Sequence, residues 1–280
     1  MLGALIGDIA GSRFEMYNLK SKEFRFFDRK CRPTDDSIMS LAIAKAILGC
    51  DGNYDGLSEK AVSSMQELGR LYPRAGYGGR FKKWLLVENP EPYNSFGNGS
   101  GMRVGPCGYV AKSLDEAKEL SAMVTRVTHN HPEGMRGAEA IATSVYLART
   151  GKTKEEIKNH IQENYYWLGF TIDGIRDIYK FDVSCQGSVP IALEAFLEST
   201  DFEDAIRTAI SVGGDSDTIA AMTGAIAEAY YGIPVDIIEE VQKFLDVQHM
   251  EILWEFEKKY PSKALANDGT EVTIFDVINK

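Results

Sequence analysis

The stretch Gly213-Gly214-Asp215-Ser216-Asp217-Thr218-Ile219-Ala220 is the part of the sequence around which we predict the fold to be organised. Gly213 and Gly214 allow backbone conformations that other residues rarely adopt. The carboxylates of Asp215 and Asp217 and then the hydroxyl of Thr218 follow them. Residues 218–231 form an apolar segment of helical length that ends at Gly232 and Pro234, a helix stop signal. One Asp or Ser is enough to cap a helix, so this set exceeds what capping requires. Because hard cations prefer several oxygen ligands, the stretch predicts half of a magnesium-type site.

A second acidic helix start lies nearer the N-terminus. Thr34-Asp35-Asp36 precedes an apolar, alanine-rich segment, residues 38–48, that stops at Gly49. The alternative interpretation is an ordinary N-cap, with first-turn carboxylates favoured by the helix dipole. The repetition of the pattern at 215–218 weakens that alternative. We therefore expect the two helix starts to form the two halves of one site.

Three glycines recur every four residues at the start of the chain. On a helix, Gly3, Gly7 and Gly11 would form a smooth stripe against which another helix can pack closely. Each glycine inside a helix costs about 0.5–1 kcal/mol relative to alanine, so the stripe implies a packing or ligand reason. Glu15 extends the same row and is predicted to lie at the edge of a cavity. A solvated glutamate in the last helical turn is the alternative.

The chain between residues 72 and 109 is rich in glycine, above all at 97–108. Small residues there would let backbone N–H groups approach an anionic or ribose-bearing ligand; a flexible loop is the alternative. Further along, His129 and His131 lie in a turn that ends at Pro132. Because no cysteine or third histidine is nearby, we interpret this turn as the polar wall of a ligand pocket rather than a transition-metal site.

Composition and charge exclude several classes of protein. The 280 residues carry a net charge of −10 without a concentrated basic stretch, which argues against an extended nucleic-acid-binding face. The four cysteines are far apart and show neither disulfide nor zinc spacing, so a reducing, cytoplasmic location is expected. The apolar run at the N-terminus is too short for a signal peptide, and no stretch approaches the length of a membrane span.

Helical patterns dominate the rest of the chain. Helices are predicted over residues 57–71, 114–127, 134–149, 153–162, 187–198 and 202–211. Pro190 is placed near the first turn of its helix, where its missing N–H costs little. Residues 271–275 are the one candidate strand. The sequence therefore predicts a single all-α domain over residues 1–280.

Five carboxylates would converge if both acidic helix starts and Glu15 line one cavity. Each like-charge pair at roughly 4 Å costs about 1 kcal/mol in water and about 4 kcal/mol near a protein surface. Several such pairs are comparable to the marginal stability of a whole domain, about 5–15 kcal/mol. Protonation or bound cations must relieve that repulsion, and two divalent ions would nearly balance the charge.

Five segments of the chain resemble the ADP-ribosylglycohydrolase family, in that family's order and within residues 3 to 234. They are Gly7–Glu15, Thr34–Asp36, Gly97–Arg103, Thr128–His129 and Gly213–Ala220. The resemblance implies an all-α fold with two Mg²⁺ (or Mn²⁺) ions. It also implies hydrolysis of the glycosidic bond at ribose C1″, which releases ADP-ribose from a modified protein or small molecule.

The same resemblance implies a role for each matching residue. The metal ligands would be Thr34, Asp35, Asp36, Asp215, Asp217 and Thr218. The substrate would contact Gly97, Asn98, Gly99, Ser100, Gly101, Met102, Arg103, His129, Gly214 and Ser216. Glu15 matches a glutamate that lies over the metal centre. Either Glu15 or Asp36 could accept the proton of the attacking water, and the sequence does not rank them.

Two other functions stay open at this level. One is a catalytically silent ADP-ribose-binding or structural protein, although such a protein need not keep both acidic sets. The other is a metal-dependent phosphohydrolase with a different leaving group. The linkage to arginine, serine, a nucleic-acid base or a free metabolite also stays open, because it depends on the shapes of the loops around 16–33 and 72–109.

Overall fold

A computed structural model describes residues 1–279. In that range the α-helices are α1 (Leu2–Gly11), α2 (Asp35–Leu48), α3 (Leu57–Leu71), α4 (Gly79–Trp84), α5 (Gly105–Val110), α6 (Leu114–Thr125), α7 (Pro132–Arg149), α8 (Lys154–Asn164), α9 (Ile172–Ile175), α10 (Cys185–Glu198), α11 (Phe202–Ile210), α12 (Ser216–Tyr231), α13 (Val235–Val241), α14 (Val247–Lys259) and α15 (Ile274–Ile278). Two 3-10 helices cover Asn98–Ser100 and Gln242–Phe244. The strands are β1 (Ile233–Pro234), β2 (Lys263–Leu265) and β3 (Glu271–Thr273). The predicted all-α class is confirmed.

The six helices predicted from periodicity between residues 57 and 211 are present, with ends shifted by at most two residues. Side-chain caps explain the starts of several of them: for example, Ser113 Oγ accepts the N–H of Glu116 at the start of α6. The placement of Pro190 in a first turn is wrong. The hydroxyl of Ser184 caps α10, which starts two residues earlier than predicted, so Pro190 lies inside the helix.

Several helices were missed by the sequence patterns. Most of them, such as α4 and α9, have too few residues to show a period. Helix α14 is longer, but two of its buried positions are His249 and Glu257, which interrupts the apolar stripe. The strand prediction at 271–275 is too long, because Ile274 starts α15 behind a cap made by Thr273.

The strands form a small sheet near the C-terminus, in the order β1-β2-β3. Strand β1 is parallel to β2, with Ile233 opposite Ala264. Strand β2 is antiparallel to β3, with Ala264 opposite Val272. These segments are two or three residues long, which is too short for an alternating pattern to stand out in the sequence.

Helix α12 lies at the centre of the helical fold and packs against α1, α7, α10 and α11. The glycine stripe of α1 provides the closest of these contacts. A Cβ on Gly7 would lie 2.1 Å from the carbonyl oxygen of Ala220, and a Cβ on Gly11 would lie 2.6 Å from Cα of Asp217. Only glycine allows backbones to approach so closely. The two helices are antiparallel, and the end of α1 therefore lies beside the acidic start of α12.

Helix α1 ends at Gly11, so the prediction that Glu15 continues its helical row is wrong. The hydroxyl of Ser12 donates to the carbonyl of Ile9 (2.9 Å), and the N–H of Phe14 donates to the carbonyl of Gly11 (2.7 Å). These bonds turn the chain over residues 12–17. Glu15 is therefore carried by a turn and not by the last turn of a helix.

One cluster of buried apolar side chains extends along the chain from Met1 to Val277. It includes every apolar residue of α1 and most of those of α12. Within residues 1–279, no helix is both long enough and apolar enough to cross a membrane.

Candidate metal centre and cleft

The N-terminal starts of α2 and α12 meet at the buried end of a cleft of about 410 Å³, a volume typical of small-ligand sites. The cleft is lined by all six residues predicted as metal ligands: Thr34, Asp35, Asp36, Asp215, Asp217 and Thr218. Glu15 lines it as well. The two acidic helix starts, about 180 residues apart in sequence, therefore face one space, as the sequence predicted.

Asp36 lies at the contact between the two helix starts. Its Oδ2 accepts a hydrogen bond from the hydroxyl of Thr218 (3.3 Å). Its Oδ1 is buried and has no hydrogen-bond partner within residues 1–279. Carboxylate oxygens of Asp8, Asp36 and Asp217 all lie within 4.8 Å of one another. An unpartnered buried oxygen among other carboxylates fits a cation, because a buried charge without a partner is costly.

Asp8 belongs to this cluster although the sequence analysis did not assign it. Its Oδ2 accepts hydrogen bonds from the backbone N–H groups of Thr34 (2.8 Å) and Ser37 (3.0 Å) and from the Ser37 hydroxyl, and its Oδ1 accepts the Thr34 hydroxyl (2.6 Å). Four donors leave Asp8 little capacity for a metal, so we interpret it as the residue that holds the start of α2 in place. A single charged residue in an otherwise apolar helix is the signal that could have revealed it.

The carboxylates of the cluster are hard to ionise together. Burial, followed by repulsion from Asp8, raises the pKa of Asp36 well above its ordinary value. Burial, followed by repulsion from Asp215, does the same to the pKa of Asp217. Burial and the charge of Asp8 raise the pKa of Asp35 from 3.8 to about 7. Without cations the cluster therefore favours protonation, and a bound cation would favour the ionised state.

The turn before α12 is fixed by backbone conformation and by two asparagines. Gly213 and Gly214 have φ angles of +72° and +70°, which favour glycine. The N–H of Gly214 donates to Oδ1 of Asn18 (3.0 Å). On the other side, Nδ2 of Asn98 donates to Oδ2 of Asp215 (2.6 Å). The turn is therefore tied both to the loop that follows Glu15 and to the glycine-rich loop.

Glu15 is half-buried in the cleft wall. Burial raises its pKa, and the nearby charge of Asp215 raises it further, whereas Arg32 opposes the shift. The position matches the predicted cavity edge. A glutamate surrounded only by solvent, the alternative considered from sequence, does not fit this burial.

Six of the ten predicted substrate contacts line the cleft: Gly97, Asn98, Gly99, Met102, Arg103 and His129. The structure places Ser100, Gly101, Gly214 and Ser216 behind that surface. The hydroxyl of Ser100, for example, donates to the carbonyl of Gly134 (2.9 Å), and a Cβ on Gly101 would lie 2.9 Å from Sδ of Met222. The loop is built on the 3-10 helix at Asn98–Ser100 and continues into α5.

Arg103 and His129 are linked through one hydroxyl. The guanidinium of Arg103, 1 % exposed, donates to Oγ1 of Thr128 (2.7 Å), which lies 2.7 Å from Nδ1 of His129. The Thr128 hydroxyl also lies 3.5 Å from the carbonyl of Thr125, to which it can donate its proton. Burial, then the charge of Arg103, lowers the pKa of His129 well below its ordinary value. His129 is therefore neutral at neutral pH, and its Nε2 lies close to Gly97 and Gly99.

About half of the residues that line the cleft were not predicted individually as site residues. The remaining lining residues are Arg32, Ala75, Gly76, Gly78, Gly79, Arg80, Phe81, Tyr93, Ser95, Phe181 and Val183. The glycines among them lie in the glycine-rich stretch 72–109, where the sequence predicts that backbone N–H groups approach a ligand. The aromatic residues carry no local signal, since an aromatic side chain in a core and one in a cleft look alike in sequence.

A helical fold in which two acidic helix starts meet at the buried end of a ligand-sized cleft is compatible with a metal-dependent enzyme. A model of the ADP-ribosylglycohydrolase family matches residues 1–264. The chain therefore belongs to the ADP-ribosylglycohydrolase family.

Individual relatives agree with this family. The chain is 25% identical to "ADP-ribosylhydrolase ARH3" of Gallus gallus, over 89% of this chain and 90% of the relative. It is 27% identical to the protein of that name from Homo sapiens, over 83% of this chain and 84% of the relative. It is 30% identical to "ADP-ribosylarginine hydrolase Tri1" of Pseudomonas putida (strain GB-1), over 56% of this chain and 44% of the relative. A solved structure titled "ADP-ribosylglycohydrolase-related protein complex" has the same fold, with a TM-score of 0.66, 22% identity, and 91% and 93% of the two chains covered.

Proposed function

We propose that this protein is a metal-dependent hydrolase that cleaves the glycosidic bond at C1″ of an ADP-ribosyl group and releases ADP-ribose. The observation that carries the proposal is the buried Oδ1 of Asp36, which has no partner within residues 1–279 and lies among converging carboxylates at the end of the cleft. The names of the relatives, which include hydrolases of ADP-ribosyl groups, support the same reaction.

The cation site would be formed by Thr34, Asp35, Asp36, Asp215, Asp217 and Thr218. All six offer hard oxygen ligands, which suit Mg²⁺ or Mn²⁺ better than softer metals. Two such ions would supply Lewis acidity and fix the ribose hydroxyls and the attacking water. The number and the identity of the ions stay predictions.

We assign the general base to Glu15 rather than Asp36. Asp36 is only 3 % exposed and lies among the proposed cation ligands, whereas Glu15 is half-buried at the cleft wall, where water can reach it. A raised pKa makes the Glu15 carboxylate a stronger base. The oxygen of water forms a bond to C1″ while the bond from C1″ to the carrier breaks. The bonding electrons leave with the carrier, and the proton taken by Glu15 can pass to the carrier atom.

The glycine-rich loop together with His129 and Arg103 would hold the diphosphate. Nε2 of His129 lies beside the backbone of residues 97–99, which carries no side chains at Gly97 and Gly99. Arg103 adds a buried positive charge, although burial lowers its pKa to about 10. It is still charged at neutral pH and favours an anion in the cleft.

The test is product analysis on ADP-ribosylated model substrates, with Mg²⁺ and with EDTA. Release of free ADP-ribose that stops in EDTA and returns with Mg²⁺ is the expected result. AMP with ribose phosphate would identify a phosphohydrolase instead. Binding of ADP-ribose without any product would identify a catalytically silent protein. Turnover that persists in EDTA, with negligible metal content, would contradict the role of cations.

The carrier of the ADP-ribosyl group is proposed to be a protein or a small molecule. An extended nucleic-acid face remains disfavoured by the net charge of −10. The cytoplasmic location stays a prediction; the four cysteines are buried and unpaired in the described part of the chain, as expected in a reducing compartment.

A further inference from the structure

A second cavity, of about 460 Å³, adjoins the end of the cleft where the predicted metal ligands lie. It is lined by Pro33, Ile38, Leu71, Tyr72, Pro73, Arg74, Ala75, Phe244, Asp246 and His249. We name it the Leu71 groove. Ala75 lines both the groove and the cleft, and its carbonyl accepts the N–H of Asp35 (2.9 Å). The groove is therefore separated from a predicted metal ligand by a single residue.

One wall of the groove is held rigid by hydrogen bonds and stacking. The ring of Tyr72 stacks on His249, with 4.6 Å between centroids, and its hydroxyl donates to Oδ2 of Asp246 (2.7 Å). Asp246 in turn accepts the N–H of His249 (3.0 Å) at the start of α14. A wall fixed in this way is ready for a ligand, because little further ordering is needed on binding.

Two side chains at the groove are exposed in the described residues 1–279. Leu71, the last residue of α3, is 55 % exposed although it lines the same cavity as the apolar side chains of Pro33, Ile38 and Phe244. Arg74 is exposed, and no ion pair within residues 1–279 involves it. An apolar contact and a carboxylate would therefore both find unused partners here.

We propose that the Leu71 groove binds the polypeptide that carries the ADP-ribosyl group. An apolar side chain of the carrier would lie in the groove, and a carboxylate beside it would pair with Arg74. The inference rests on the proposed function, and it narrows the carrier from any ADP-ribosylated molecule to a protein whose modified residue has apolar and acidic neighbours.

The position of the groove favours a polypeptide as the carrier that binds there. In the proposed reaction the carrier leaves next to the predicted metal ligands, and the groove shares Ala75 with the cleft and lies one residue from Asp35. A single amino acid or small metabolite attached there would leave the groove unused. A nucleic acid fits poorly, because the apolar wall formed by Pro33, Leu71 and Phe244, with the carboxylate of Asp246, offers no array of cations to phosphates.

The test compares substrates that share the modified residue and differ only around it. One is the N-acetylated, amidated amino acid carrying ADP-ribose. The second is a peptide with Leu-Glu next to that residue, and the third is the same peptide with Ser-Ser instead. One series is made on serine and one on arginine, so that the linkage does not decide the outcome. We expect kcat/KM to be roughly tenfold higher for the Leu-Glu peptide than for the other two, the usual effect of burying one leucine-sized side chain.

Variants of the groove should remove this preference selectively. Leu71→Ser should lower kcat/KM for the Leu-Glu peptide roughly tenfold and leave the amino-acid substrate within about twofold. Leu71→Met, which keeps a large apolar side chain, should keep the preference for the Leu-Glu peptide that Leu71→Ser loses. Leu86→Ser is the matched control, because Leu86 is also exposed (74 %) but does not line the groove. Arg74→Glu should weaken cleavage of the Leu-Glu peptide and improve that of a Leu-Lys peptide, since the charge is reversed.

The outcomes separate this inference from the proposed function. Equal kcat/KM for all three substrates, or equal effects of Leu71→Ser and Leu86→Ser, would contradict binding of the carrier in the Leu71 groove. The proposed hydrolysis of the ADP-ribosyl group would not be affected. Failure to release ADP-ribose from any substrate would overturn the proposed function. A dimer in sedimentation experiments that dissociates in Leu71→Asp would show that a second copy of the chain occupies the groove instead.

Discussion

Asn98 and Asp215 join the two sides of the cleft: Nδ2 of the asparagine donates a 2.6 Å hydrogen bond to Oδ2 of the aspartate. Both residues are buried, and they are separated by more than 100 residues in sequence. The hydrogen bond favours the ionised carboxylate and so opposes burial, which raises the pKa of Asp215. The glycine-rich loop therefore both lines the cleft and orients a carboxylate of the proposed cation site.

Replacing Asn98 should weaken cation binding. In Asn98→Ala, the carboxylate of Asp215 loses its orienting donor, and we expect affinity for Mn²⁺ to fall roughly 10–100-fold, as is usual for partners of metal ligands. The measurement is calorimetric titration of Mn²⁺ without substrate. Asn267→Ala, at an exposed position, is the control and should bind like the wild type. Unchanged affinity in Asn98→Ala would show that Asp215 is oriented without it.

Stability without metal should depend on pH through the acidic cluster. The pKa of Asp35 is raised from 3.8 to about 7, so between these values the folded state holds a proton that the unfolded state has released. The protonated Asp35 therefore contributes its full stabilisation of the folded state below about pH 4. That stabilisation is lost as the pH rises through about 7. The free energy of unfolding in EDTA should therefore decrease over this window.

The variant Asp35→Asn isolates this effect from other titrating groups. Urea denaturation in EDTA at several pH values should show a shallower decrease for the variant than for the wild type. Saturating Mg²⁺ should remove most of the difference in slope, because a bound cation stabilises the ionised carboxylate. Parallel curves for the two proteins in EDTA would contradict the raised pKa.

Glu15→Gln should separate catalysis from binding. The amide keeps the volume of the side chain but accepts no proton, so kcat should fall roughly 10²–10⁴-fold, the usual effect of losing a general base. Affinity for ADP-ribose, measured by calorimetry, should change little. Glu23→Gln, at an exposed position of the same loop region, is the control and should keep full activity. A kcat close to that of the wild type in Glu15→Gln would end the catalytic assignment.

Gly7→Ala should disrupt the packing of α1 on α12. The added Cβ would lie 2.1 Å from the carbonyl oxygen of Ala220, so the helices must separate. We expect a loss of at least about 2 kcal/mol in the free energy of unfolding, in the range of overpacked cores. Gly56→Ala is the control, because its Cβ would have no neighbour closer than 3.9 Å. Equal stability of the two variants would contradict the close contact.

Local chemistry explains why so much of the fold could be predicted from sequence. A helix is encoded within a few residues by its apolar period, its cap and its stop signal, and the helix predicted at 57–71 has those bounds in the structure. The acidic helix starts at Thr34 and Asp215 were visible for the same reason, since a cap and its first turn are neighbours in the chain. The spacing of Gly7 and Gly11 likewise predicted a close contact between helices.

Tertiary packing decided what those local elements do together. No spacing pattern could place Asp8 in the carboxylate cluster, because its partners are on α2 and become neighbours only when α1 packs beside that helix. The turn that brings Glu15 to the cleft depends on contacts such as that of Ser12 with Ile9, which compete with the helix. The sequence alone therefore determined the helices and the chemistry of their ends, because both depend on near neighbours. Only the folded chain determined which ends meet, since that depends on packing between segments far apart in sequence.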